Sequence, residues 1–125
     1  MKHEEHSGTN CKQSLLAVKD ALDALSGKWK LPIIIALSEG PKRFKELQRT
    51  VEDITPKILS KELKELELND FVTRHVYDTM PVSVEYELTQ YSHSLEEVIT
   101  SLYKWGLQHR KHIYAKHKKK ERQPA

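Results

Sequence analysis

The stretch that decides the fold is TPKILSKELKELEL, Thr55 to Leu68. It opens on Thr55-Pro56, a hydroxyl at the N-cap and a proline whose missing N–H costs nothing in a first helical turn. Asn69-Asp70 closes it. Each residue turns the helix by about 100°. Leu59, Leu63 and Leu66 therefore fall within about 60° of one another, and Lys57, Lys61 and Lys64 form a second stripe, equally narrow and nearly opposite. Ser60 flanks the lysines. The spacing predicts a helix with an apolar back and a cationic, hydrogen-bonding front. Its free N-terminus adds unpaired N–H groups and a positive dipole end, both attractive to phosphate.

Upstream, Arg43 to Val51 reads as a short helix with Phe44, Leu47 and Val51 inward, joined to Thr55 by the turn Glu52-Asp53-Ile54. Before it, Trp29 to Leu37 is almost wholly apolar and reads as a helix buried all round. Pro32 suits its first turn, and Gly40-Pro41 stops it. Ser14 to Leu25 carries Leu15, Val18, Leu22 and Leu25 on one stripe, an amphipathic helix ended by Ser26-Gly27. Residues 1–10 show no pattern and read as a flexible arm. Downstream the period changes to two. Val72 to Tyr77 and Val82 to Leu88, linked by Asp78–Pro81, predict a β-hairpin. Thr89 is placed to cap a last helix with Leu95, Val98, Leu102 and Trp105 on its stripe, running past His109 into a basic tail, residues 111–125. The expected architecture is mainly α with one hairpin.

The 125 residues, 38% hydrophobic and 31% charged, suffice for one domain. No apolar run approaches the roughly 20 residues that cross a bilayer. The polar N-terminus shows no secretory signal, and a single cysteine forms no internal disulfide, so a cytoplasmic protein is expected. The net charge of +3 is unevenly spread. Residues 42–64 hold seven Lys/Arg against four acids, residues 65–108 two against eight, and residues 109–122 seven against one. A basic middle, an acidic block and a basic tail point to a polyanionic partner.

Lysines opposite leucines occur on any exposed helix. The tight turn, the proline-capped second helix, the hairpin behind it and the change of charge sign turn the reading toward double-stranded DNA. The hairpin would be a wing with Arg74 as its one basic residue. A winged-helix module that binds an acidic protein partner is the alternative. Nothing implies an enzyme: there is no phosphate loop, nucleophile elbow or paired-carboxylate motif. His3, His6, His75, His93, His109, His112 and His117 assemble no metal site, so neither metal nor cofactor is expected. No residue pattern identifies an effector ligand.

Three segments resemble the HxlR-type bacterial transcriptional regulators, winged-helix proteins related to the MarR class. They are LSGKWKLPIIIALSEGPKRFKEL (Leu25–Leu47), ITPKILSKELKELELNDFV (Ile54–Val72) and Tyr77 to Pro81 followed by VSVEYELT, ending at Thr89. The resemblance spans residues 11–108 of a domain read as 11–110. It implies a homodimer mated through the first and last helices, Ser14–Leu25 and Leu95–Arg110, with Leu15, Leu22, Leu95, Val98, Leu102 and Trp105 at the interface. It implies a near-palindromic operator, with Thr55 to Leu66 as recognition helix and residues 72–88 as wing. Arg43, Thr55, Lys57, Ser60, Lys61, Lys64 and Arg74 would then meet DNA. Two departures stand out. Cys11-Lys12 replaces the Cys-Pro common in the family, and Thr89-Gln-Tyr-Ser92 lacks the usual glycine. Some members sense electrophiles or oxidants with a cysteine at the place of Cys11. Here Cys11 precedes a helix start beside Lys12, a setting that favours the thiolate. An inert thiol near the dimer interface is the other reading.

Overall fold

The computed structural model describes residues 8–122. Its contacts divide the chain into two units, Met1–Thr89 and Gln90–Ala125. The first holds α1 (Gly8–Ala24), α2 (Lys30–Leu37), β1 (Lys42–Arg43), α3 (Phe44–Thr50), α4 (Pro56–Leu68), β2 (Val72–Tyr77) and β3 (Ser83–Leu88). The second holds a 3-10 turn, Tyr91–Leu95, and α5 (Glu96–Arg122). The chain is mainly α with a small antiparallel sheet in the order β1-β3-β2.

The core of the first unit is aliphatic. Ile33, Ile34 and Leu37 of α2 meet Leu47 of α3, Leu59, Leu63 and Leu66 of α4, and Phe71 and Val72 at the start of the hairpin, all buried. The triple isoleucine is helical despite its β-branched residues because each turn finds apolar cover from α3, α4 and β3. That cover is incomplete, which corrects the reading of α2 as buried all round. Ile35 is half-exposed, beside an open groove lined by Trp29, Pro32, Ala36 and Val51. Asp53 and Asp70 take left-handed backbone conformations, φ 68° and 65°, which let the turns after α3 and α4 reverse tightly.

Several boundaries differ from the sequence reading. Helix α1 begins at Gly8, inside the segment read as an arm; residues 1–7 of that arm lie outside the described residues. Arg43 is not helical: with Lys42 it forms β1, pairing Lys42 with Tyr86 and Arg43 with Glu85. Two residues are too few to show a period of two, so this strand left no trace in the pattern. Thr89 is followed by the 3-10 turn and not directly by the α-helix. Its hydroxyl donates to the Asp70 carbonyl at 2.5 Å, and its N–H to that of Phe71 at 3.1 Å, closing the hairpin onto the end of α4. Leu95 ends the 3-10 turn, and α5 starts one residue later and continues through the basic tail to Arg122.

Candidate nucleic-acid interface

Helices α3 and α4 with the turn between them form the helix-turn-helix, and β2 and β3 form the hairpin behind it. The Glu46 carboxylate accepts the Arg43 N–H at 3.0 Å, satisfying one orphan donor at the start of α3. Thr55 Oγ1 accepts the Ile58 N–H at 3.2 Å, with Pro56 at the first helical position, and so fixes where α4 begins. The buried residues of α4 are Leu59, Glu62, Leu63 and Leu66, whereas Lys57, Ser60, Lys61 and Lys64 are all exposed. Five of the sequence-derived site residues, Thr55 included, therefore share one helix and stay accessible.

The front is not equally free. Lys61 Nζ lies 3.4 Å from Glu65 Oε2, one turn on, while Lys57 and Lys64 make no ion pair among the described residues. Glu65 also reaches inward. Its other oxygen accepts a hydrogen bond from Lys30 Nζ at 3.1 Å, and Lys30 donates to buried Glu62 at 2.6 Å. Lys30 is itself buried. A chain of charges thus runs from the α2–α4 contact to the outer face. Burial pulls the Lys30 pKa down, but hydrogen bonds and charge from Glu62 and Glu65 outweigh that and hold the ammonium above its ordinary range. The Lys30 hydrogen bond, opposed by desolvation and helped by the charges of Lys30 and Lys61, holds the Glu65 carboxyl below its own. Lys30 escaped the sequence reading because a lysine in an apolar run gives no sign of its partners 32 and 35 positions away.

The remaining residues fall elsewhere. Arg43 lies at the mouth of a cleft of about 970 Å³ between α3 and the hairpin, with Lys45 and Arg49 beside it and Thr79 to Val84 across from them. Arg49 was not singled out, because its nearness to the hairpin is a tertiary fact. Arg74 stands opposite Tyr86 in mid-hairpin and not at the tip, where Met80 is fully exposed. The other pleat of the hairpin is acidic. His75 contacts Glu87 at 2.9 Å, and the Tyr77 hydroxyl donates to Glu85 at 3.4 Å. Burial and the neighbouring carboxylates push the Tyr77 phenol above its ordinary pKa. Cys11 is exposed, within the first turn of α1 and not ahead of it. Among the described residues no group of three His, Cys, Asp or Glu side chains is placed to hold a metal ion.

A model of the HxlR-like helix-turn-helix matches residues 24–114, most of the chain. The chain belongs to the HxlR-like helix-turn-helix family. This is a family of transcriptional regulators and not of enzymes. The HTH-type transcriptional regulator YtcD of Bacillus subtilis (strain 168) is 40% identical over 99 residues, 79% of each chain. A crystal structure of YtcD superposes with a TM-score of 0.73 at 41% identity, covering 75% of this chain and 96% of that one. The redox regulator HypR in its reduced form superposes with a TM-score of 0.74 at 35% identity, covering 79% and 98%. The winged-helix architecture expected from the resemblance is the one these structures share. No described helix is long and apolar enough to cross a membrane.

Proposed function

We propose that this HxlR-like regulator binds double-stranded DNA as a homodimer, with α4 in the major groove and the β2–β3 hairpin as wing. One observation carries the reading. The leucines of α4 are sealed in the core, Leu59 at 0%, Leu63 at 1% and Leu66 at 0% exposure, while its three outer lysines and Ser60 are exposed to water. Lys57, Lys61 and Lys64 meet phosphates; Ser60, Thr55 and the lysine ends that touch base edges supply preference. Arg43 and Arg74 add flanking charge. Two copies mate through the exposed stripes Leu15, Val18, Leu22 on α1 and Val98, Leu102, Trp105 on α5, with Leu95 beside the latter. The operator is then near-palindromic, with half-sites about 10–10.5 base pairs apart or a multiple of that. The regulator acts in the cytoplasm.

The test uses genomic fragments selected by the wild-type protein. K57A/K61A/K64A lowers the slope of log affinity against log salt by about 2.7 per recognition helix, from 0.9 per phosphate contact. An unchanged affinity and slope would remove the assignment, and a wild-type protein that retains no genomic fragment at physiological salt would favour an acidic protein partner. Cys11 lies four residues before Leu15 on the same helical stripe. The likeness to HypR supports a redox role for it. As the one cysteine of the chain, it can join only its own copy or a small thiol. Diamide treatment is expected to give a covalent dimer on a non-reducing gel, or a mass increase of one small thiol when that thiol is present. C11S gives neither.

A further inference from the structure

Helix α5 runs without interruption to Arg122, although the family match ends at residue 114. Alternating steps of four and three residues trace one seam along it: Val98, Leu102, Trp105, His109, His112, Lys116, Lys119. Its first three residues are apolar and exposed. His109 stacks on Trp105, ring centroids 4.9 Å apart and 8° from parallel. Beyond His112 the seam is lysine. A second helix pressed along that part would take ammonium groups out of water with one acid, Glu121, in the whole of residues 109–122 to meet them. The surface that suits a second copy therefore ends near His112.

The rest of the helix is a positive rod. Arg110, Lys111, Lys116, Lys118, Lys119 and Lys120 are all exposed, and none forms an ion pair among the described residues. Lys118 Nζ lies 5.7 Å above the Tyr114 ring. At 1.5 Å per residue, residues 110–120 span about 15 Å, the length of four to five phosphates along one strand. The cations spread around more than half of the circumference. Such a distribution suits phosphates, which surround a duplex, and not base edges, which need one aligned row. A helix lying on a lipid surface needs an apolar flank beside its cations. From 110 to 120 the apolar residues are the consecutive Ile113, Tyr114 and Ala115, which form no stripe along the helix.

We propose that residues 110–120 form a second, sequence-independent contact to duplex DNA, a phosphate-binding arm that extends past the family domain. The proposal rests on the DNA-binding reading of α4, and its test keeps the two apart. Full-length wild type, K116Q/K118Q/K119Q/K120Q and K57A/K61A/K64A are titrated by fluorescence anisotropy onto a 40-base-pair duplex of random sequence, across a range of NaCl concentrations. Circular dichroism checks that the glutamine variant keeps its helix. The glutamine variant is expected to lose about 3 to 4 from the log–log salt slope and at least tenfold in affinity at 100 mM NaCl. Its preference for a selected genomic fragment over the random duplex should stay unchanged, because a contact without sequence information contributes equally to both complexes. Replacing the same four lysines by arginine should restore the wild-type slope. An unchanged slope in the glutamine variant beside a loss in the α4 variant overturns the arm and leaves the α4 reading standing. An unchanged slope in both overturns both. Unchanged duplex binding with lost binding to phosphatidylserine vesicles also overturns the arm and assigns the rod to a membrane surface.

Discussion

Helices α4 and α5 are both amphipathic in sequence, and the chain treats them in opposite ways. The apolar stripe of α4 is sealed by α2 and the start of the hairpin, whereas that of α5 lies open, with Val98 at 44%, Leu102 at 49% and Trp105 at 60% exposure. The charges differ in the same sense. Around α4 the cations are of two kinds, one buried against Glu62 and Glu65 and three facing water. On the last turns of α5 every described cation faces water. An amphipathic pattern says that a face seeks cover, not what supplies it. In α4 the cover is this chain, and the outer face is left to solvent. In α5 Val98, Leu102 and Trp105 stay uncovered.

Four perturbations break or sharpen that contrast. The largest effect is expected from K30M, which strands the Glu62 carboxylate inside the protein. It should lower unfolding stability by about 3–5 kcal/mol in urea titrations, and K30M/E62M should recover most of the loss. A loss under about 1 kcal/mol would mean that the α2–α4 ion pair does not anchor the helix. Next, L63A should cost about 2–5 kcal/mol. L102A, measured at concentrations where the chain is monomeric, should cost about 0.5 kcal/mol or less, as surface positions do. Equal losses would erase the distinction between covered and open stripes. L102E should instead raise the concentration of half-dimerisation at least tenfold in sedimentation equilibrium.

The smaller effects concern Glu65. Its carboxyl titrates below the ordinary range, so its contribution is present above about pH 4.5 and drains away as the pH falls. E65Q should therefore show a shallower stability loss than wild type over that acid range. Lys30 is held above its ordinary range, so its own contribution is full below about pH 10.5 and is lost only as the pH climbs through the folded value. The smallest expected change is in DNA binding. E65Q frees Lys61 from its partner one turn away and should tighten binding to a selected fragment roughly twofold, the scale of an exposed i,i+4 pair. The same substitution at Glu67, exposed on α4 and unpaired among the described residues, serves as the control for net charge.

How much was legible in the sequence depended on the range of the interaction. The start of α4 was readable because Thr55 and Pro56 act within four residues, and its two faces because the helical period is local. The hairpin was readable for the same reason. The strand β1 was not, since two residues become a strand only when β3 lies alongside. The reach of the Thr89 hydroxyl to the Asp70 carbonyl, 19 positions back, was not legible either. Among the site residues, the α4 lysines were legible from spacing. The link from Lys30 to Lys61 through Glu65 was not.

The sequence by itself determined that this chain forms a helix-turn-helix with a hairpin behind it, because N-caps, turn residues and the two periods are short-range properties written in consecutive residues. Only the tertiary structure decided that Lys30 is a buried anchor and not another surface cation, and that Arg49 faces the hairpin across a cleft. Burial and ion pairing depend on groups distant in the chain meeting at a few ångströms, and no local pattern encodes that meeting.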